Sequence, residues 1–256
     1  MRLRLRRRAQ RRPATFEPLE TRCVLSSLSW EVGPVRPLPT EESVQTALES
    51  FGRFGDGVQL DNVRSLYGLT GQGQTVAVID TGIAYDQRAL GGGFGPEARV
   101  VGGWDVAERD SDPYDDAPAG FHGTHVAGIL AAADDRRPGI APGVDLVALR
   151  VFDDLGNGKL EWVEQALQWI ARHRNAFRYP ITTVNLSLGT NYNGDRPPDY
   201  AVLEDELKTL WESGILVVAA AGNSFAQYGR PGVSYPAASP YVLPVASLDA
   251  NGRLSR

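Results

Sequence analysis

The sequence predicts an α/β fold, with a mostly parallel central sheet flanked by helices. Two observations carry the prediction. Apolar runs rich in β-branched residues recur at "TVAVID" (75–80), "DLVALRVF" (145–152), "ITTVNLSLG" (181–189), "GILVVAAAGN" (214–223) and "YVLPVASLD" (241–249). Such runs fit strands buried on both faces, as parallel sheets require. Helical patterns alternate with them, and that alternation is the mark of parallel crossover connections.

Taken in order, residues 1–60 read as a basic N-terminal export or sorting segment and linker, largely disordered, and residues 61–256 as the folded domain. The first residues, "MRLRLRRRAQRR", suit a polybasic tail for nucleic acid or acidic membranes, or the charged start of an export signal. No apolar stretch of export-signal type follows. "PATFEPLETRCVLSS" resembles instead the N-terminal sorting segment of certain exported bacterial proteins, which implies an exported protein. Cys23 is the only cysteine, which excludes an intrachain disulfide and a cysteine-based metal cluster. "EESVQTALESF" is a brief helical pattern within this region.

Beyond Gly68 the texture changes to strands and helices. "HGTHVAGILAAA" opens a helix, "LEWVEQALQWIARHR" (160–174) has apolar residues at helical spacing, and "DYAVLEDELKTLWESG" (199–214) ends in Gly as helices often do. "AERDSDPYDD" (107–116) and "QYGRPGVSYPAASP" (227–240) read as surface excursions. The net charge of −5 argues against general nucleic-acid binding, which needs a basic face. No apolar run approaches the roughly 20 residues that span a bilayer, so a soluble chain without a transmembrane segment is expected.

In open α/β sheets chemistry gathers at the carboxyl ends of strands, and three such ends here carry polar groups: Asp80, Ser187–Gly189 and Asn223. Asp80 follows a buried strand in "VIDTG". Alone it fits a turn-capping Asp, a partly desolvated functional carboxylate, or the Asp-Thr-Gly of aspartic peptidases. The last needs a second such motif or a symmetric dimer in an all-β setting, and this chain offers neither. "FHGTHVAG" places His122 and His125 one helical turn apart, as a metal pair, as packing histidines, or as a base beside a structural histidine. No third histidine or glutamate lies nearby in that helix. "VVAAAGNS" ends a strand in small residues and Asn223, which is either a turn former or an amide donor for a developing oxyanion.

In order and spacing, "TVAVIDTGI", "GFHGTHVAGILAA", "NLSLG" and "VVAAAGNS" resemble the subtilases, the subtilisin-like serine peptidases. The resemblance runs from about Gly68 to residue 256 and includes "APGVDLVALRVFDDLGNGKLEWVEQALQWI" and "YPAASPYVLPVASLD". It implies a three-layer subtilisin-like fold and proteolysis by an Asp-His-Ser triad. Asp80 then matches the triad aspartate, His122 the general base, His125 the family's second, non-catalytic histidine and Asn223 the oxyanion donor. Ser187, Leu188 and Gly189 match the strand edge that pairs with an extended polypeptide substrate, and Ala220, Ala221 and Gly222 the facing pocket wall. No cofactor is required for that chemistry. Subtilases often bind structural calcium, for which Asp112, Asp115 and Asp116 offer hard oxygen ligands, a solvated acidic loop being the competing reading.

The match breaks at the nucleophile. The family's serine sits in a Gly-Thr-Ser-x-Ala type motif opening a helix well beyond the oxyanion asparagine, and the serines in "GNSFA", "GVSYP", "AASPY", "VASLD" and "RLSR" lack that setting. The expectation is a peptidase domain incomplete at its C-terminus, truncated before the nucleophile, inactive alone and marginally stable because sheet and helix faces lose their cover. The segment before Gly68 is short and polar for the family's folded pro-domain. A non-catalytic, subtilase-like peptide-binding pseudoenzyme is the alternative, and an Asp/His metal hydrolase has too few ligands to compete. Nothing in the sequence fixes cleavage specificity or oligomeric state.

Overall fold

The computed structural model describes residues 15–18, 60–116, 121–134, 137–249 and 252–254. The readings made for Cys23, for the helical pattern at 41–51 and for the rest of the N-terminal segment lie outside them. The elements in chain order are β1 (Thr15–Pro18), α1 (Leu60–Tyr67), β2 (Thr75–Asp80), β3 (Val100–Asp105), α2 (His122–Ala131), β4 (Asp145–Arg150), β5 (Gly158–Lys159), α3 (Leu160–His173), β6 (Ile181–Leu186), β7 (Leu188–Thr190), α4 (Glu204–Glu212), β8 (Leu216–Ala220), α5 (Phe225–Tyr228) and β9 (Val242–Val245). A 3-10 turn, Arg88–Leu90, precedes β3.

The central sheet has six strands in the order β3-β4-β2-β6-β8-β9, and every pairing is parallel. The expected mostly parallel sheet with flanking helices is therefore what the chain forms. The continuous apolar runs have a direct cause. Along β2, Ala77 and Ile79 belong to one core while Val76 and Val78 belong to the other, and β4 divides Val147 and Leu149 from Leu146 and Ala148 in the same way. A strand with cores on both faces has no position left for alternating polar residues.

The first core lies under α3 and α4, through Leu160, Val163, Leu167 and Ile170 on one helix and Leu207 and Leu210 on the other. The second lies under α2, through Ala127 and Ala131, and under Leu90 of the 3-10 turn. α2 is built for close approach, since its buried positions are Gly and Ala only. The cover thins toward the β9 edge, where Leu216, Leu243 and Val245 are about half exposed.

β3 had no clear sequence signal, because "VVGGWD" carries two central glycines that weaken a strand pattern. β1, β5 and β7 form a second, three-stranded antiparallel sheet in the order β5-β1-β7, so Thr15–Pro18 pairs with the domain, which the reading of residues 1–60 as a tail did not anticipate. Among the described residues no helix is long and apolar enough to cross a membrane.

Candidate active site

β2, β6 and β8 are neighbours in the sheet, so their carboxyl ends sit side by side. Asp80 is the last residue of β2, Ser187 follows β6 and Ala220–Asn223 follow β8. The chain order leaves β2 for β3 and β4 on one side and returns to β6 on the other. That reversal makes the end of β2 a topological switch point, where open α/β sheets place their sites.

Asp80 is buried, with 1% of its side chain exposed, and His122 retains 12%. Asp80 Oδ1 lies 2.7 Å from His122 Nδ1 and accepts the Thr81 backbone N–H at 2.7 Å. A carboxylate accepts only, so Nδ1 carries the imidazole proton and Nε2 is left as the basic nitrogen. His122 is the first residue of α2.

The sequence places that histidine through its small neighbours. Thr81 Oγ1 accepts the Gly123 N–H at 2.9 Å, tying the first turn of α2 to the end of β2. A Cβ on Gly123 would lie 2.2 Å from the Gly82 carbonyl oxygen and 3.0 Å from Asp80 Cβ. Only glycine permits the approach that brings the imidazole to the carboxylate.

α2 has no side-chain cap of its own: the residue before it, Phe121, has φ 66° and makes no capping hydrogen bond. Asp115 supplies the missing acceptor from the preceding loop. Its Oδ2 takes the Thr124 N–H at 3.0 Å and the Thr124 hydroxyl at 2.6 Å, and Thr124 Oγ1 accepts the Ala84 N–H at 2.8 Å. The carboxylate both satisfies an orphan helix donor and faces the positive helix end.

The three carboxylates read as calcium ligands are divided among separate partners. Asp115 serves Thr124, Asp112 accepts the Tyr85 hydroxyl at 2.7 Å, and Asp116 pairs with Arg150 at 3.2 Å. As placed they do not fit a shared calcium site. Among the described residues no group of three or more His, Cys, Asp or Glu is gathered to hold a metal ion. His125 stands on the exposed side of α2, while His122 Nδ1 is committed to Asp80.

Arg150, at the end of β4, was invisible to motif reasoning. It lies opposite Asp80 on one side and Asp105 on the other. It is 5% exposed and meets Asp105 at 3.3 Å, Asp116 at 3.2 Å and Asp154 at 2.5 Å. Burial acts to lower its pKa, but the surrounding carboxylates, Asp154 first, raise it overall. Burial raises Asp105, against the Glu108 N–H and the Arg150 charge. This network ties the ends of β3 and β4 to the neighbouring loops beside the site.

The opposite wall is made differently. The Ala221 N–H donates to Val245 at 2.8 Å, and the Ser234 N–H donates to Ala221 at 2.7 Å. Gly222 has φ 101°, and a Cβ there would press on Ser234. Asn223 follows on an exposed turn. Ser224 precedes the one-turn helix α5 and its hydroxyl donates to Asn191 Oδ1 at 3.4 Å. Ser187 Oγ accepts from Asn185 Nδ2 at 3.0 Å, and Leu188 and Gly189 lie in β7, paired to Pro18 and Glu17.

Comparison with known proteins agrees with this architecture. Residues 71–256 match the model of the subtilase family. A thermostable alkaline protease of Halalkalibacterium halodurans is 34% identical over 201 residues, 77% of this chain and 48% of that protein. Subtilisin E of Bacillus subtilis is 31% identical over 188 residues, 73% of this chain and 44% of it. The minor extracellular protease Epr of the same organism is 33% identical over 190 residues, 73% of this chain and 25% of that protein. The chain thus spans less than half the length of these relatives. With a family match over most of its length and the Asp80–His122 pair at the end of the central strand, the chain belongs to the subtilase family.

Proposed function

We propose that the chain supplies the Asp–His half of a serine endopeptidase, with Asp80 orienting His122 and His122 Nε2 acting as general base. The observation that carries the reading is the 2.7 Å contact between Asp80 Oδ1 and His122 Nδ1. In this reading a serine hydroxyl attacks the scissile carbonyl as Nε2 takes its proton, and Asp80 stabilises the imidazolium that forms. The Asn223 amide donates to the developing oxyanion. His122 then returns the proton to the leaving amine, and water, activated by the same nitrogen, releases the acyl group. No step requires a cofactor.

The substrate is a polypeptide held as an extended strand on Ser187–Gly189, with Ala220–Gly222 facing it across the cleft. Export from the cell belongs to the same proposal. It draws on the sorting-type segment at 13–27 and on a relative described as extracellular.

No serine after Asn223 has the motif of the nucleophile, so the 256-residue chain is expected to be inactive by itself. The test begins with the source DNA read past codon 256 for a Gly-Thr-Ser-x-Ala segment. The protein expressed from the complete reading frame should then hydrolyse peptides and be silenced by serine-directed inhibitors. His122→Ala should reduce kcat by about 10⁶-fold, the loss known for subtilisin's own histidine. Asn223→Ala should reduce it by about 10²–10³-fold, again the magnitude known from subtilisin. A complete frame that binds peptides without cutting them would replace this reading with a peptide-binding pseudoenzyme.

A further inference from the structure

The amino ends of β2, β3 and β4 carry a second polar cluster, a strand's length from Asp80 and His122. A cleft of about 360 Å³ opens there, lined by Thr70, Gln72, Arg99, Asp145, Arg178 and Tyr179. The turn at 70–72 is pressed onto the segment before β4. The Gly143 N–H donates to the Thr70 carbonyl at 2.8 Å, and a Cβ on Gly143 would lie 2.7 Å from Thr70 Oγ1. The segment that carries Arg178 is tied to β2 by the Thr75 hydroxyl, which donates to the Tyr179 carbonyl at 2.9 Å.

The charges in this cleft do not balance. Asp145 is 3% exposed, and its two oxygens accept from Arg178 Nη2 and Nε, each at 2.6 Å. That bidentate fork engages both carboxylate oxygens. Arg99 is left over. Its Nη2 donates to the Val144 carbonyl at 3.0 Å, while Nη1 is buried with no hydrogen-bond partner among the described residues. Burial pulls its pKa down, Asp145 opposes the fall and Arg178 adds to it. A guanidinium keeps its proton in a folded protein, so Arg99 remains a cation with a buried donor to satisfy. Glu97, a further acid nearby, acts on Arg178.

A charged donor buried without an acceptor is destabilising until something supplies one. The planar N–H fork of arginine matches oxyanions. Thr70 and Gln72 add a hydroxyl and an amide from another segment, and Arg178, 43% exposed, adds a second guanidinium. Donors arriving from three segments suit an ion with acceptor oxygens in several directions. A phosphate group has them, and a planar carboxylate does not.

We propose that the cleft at the amino ends of β2, β3 and β4 binds a phosphate group, with Arg99 Nη1 as its principal donor and Arg178, Thr70 and Gln72 around it. The bound group joins the 70–72 turn, the start of β3 and the 178–179 segment, which meet only in the folded chain. It therefore stabilises the fold and takes no part in peptide chemistry. The site is independent of the peptidase reading.

The test is calorimetric titration of the full 256-residue chain with inorganic phosphate and with glycerol phosphate at constant ionic strength. Arg99→Gln and Arg99→Lys are compared with it, and Arg172→Gln, at an exposed residue of α3, is the control. The parent and the control should bind one phosphate group with a Kd below about 10 mM, and their thermal midpoints should rise with ligand concentration. Arg99→Gln should weaken binding at least about tenfold, and Arg99→Lys, which keeps the charge but not the fork, should fall between. Tighter binding of inorganic phosphate marks a free ion and tighter binding of the ester a phosphorylated molecule; either supports the site. Guanidinium NMR of the parent locates the ligand without any substitution, since the Arg99 signals should shift with the same Kd. No binding by the parent, an equal response to acetate, Arg99 signals that stay in place, or equal affinity in Arg99→Gln would each overturn the proposal. If neither Arg99 variant folds, the NMR titration of the parent decides.

Discussion

The two walls of the site are held by different means. At the Asp80–His122 wall the strand end is buried beneath two cores, and Thr81, Thr124, Asp115 and Arg150 tie strand, helix and loop together. At the Asn223 wall the chain turns on Gly222, beside strands whose outer face is half exposed at Leu216, Leu243 and Val245. The difference matches the proposed roles, in which an imidazole held against one carboxylate faces an amide that donates to a developing charge.

The sharpest way to break the contrast is to remove the same bulk from each side. Ile79→Ala, in a side chain with no exposure, should cost about 2–5 kcal/mol. Leu243→Ala, half exposed on β9, should cost under about 1 kcal/mol. Urea denaturation of both variants measures the gap, and equal losses would show that the sheet is loaded evenly.

A smaller effect is expected at the joint between β2 and α2. Gly123→Ala forces a Cβ against the Gly82 carbonyl and should destabilise by about 1–3 kcal/mol. The proton at His122 Nδ1, bonded to Asp80, should shift in the NMR spectrum as the pair is pushed apart. Retention of that resonance would mean the backbone yields without moving the imidazole.

Asp115→Ala sharpens the comparison further by leaving a partly buried helix donor without its acceptor. A loss of about 1–3 kcal/mol is expected, with restoration toward wild type by Asp115→Asn, whose amide oxygen can still accept. If Asp115→Ala is neutral, the loop carboxylate is not what caps α2.

The smallest effect concerns the Tyr85 hydroxyl on Asp112. Burial, followed by that hydrogen bond and charge, pushes its pKa up to about 12. A folded-state value above the unfolded one favours the folded state at lower pH, and the advantage is lost as pH rises from about 10 toward 12. The difference in thermal midpoint between wild type and Tyr85→Phe should therefore shrink above pH 10. A constant difference would remove Tyr85 from the alkaline response.

How far the sequence could be read follows the same division. The central strands were legible because burial on both faces writes continuous apolar runs, and Asp80, His122 and Asn223 drew attention through the order and spacing of motifs that resemble the subtilases. Asp115 drew attention only as one of several acids, since nothing local distinguishes a helix cap supplied from a loop from a metal ligand. Arg150 and the β1–β7 pairing had no signal, because each depends on residues that meet only after the sheet is assembled. β5 is two residues long, too short for any period to register.

Arg150 also divides its surroundings into a dry side and a wet one. Asp105 faces it from the interior at 1% exposure, while Asp116 and Asp154 are 63% and 69% exposed. Dissolved ions reach only the outer two. Screening lengths fall from about 8 Å in dilute physiological salt to about 3 Å in molar brine. Rising salinity would therefore loosen the acidic loop from Arg150 while leaving the Asp105 tether intact, so the β3 and β4 ends that flank the site keep their buried pair in concentrated salt.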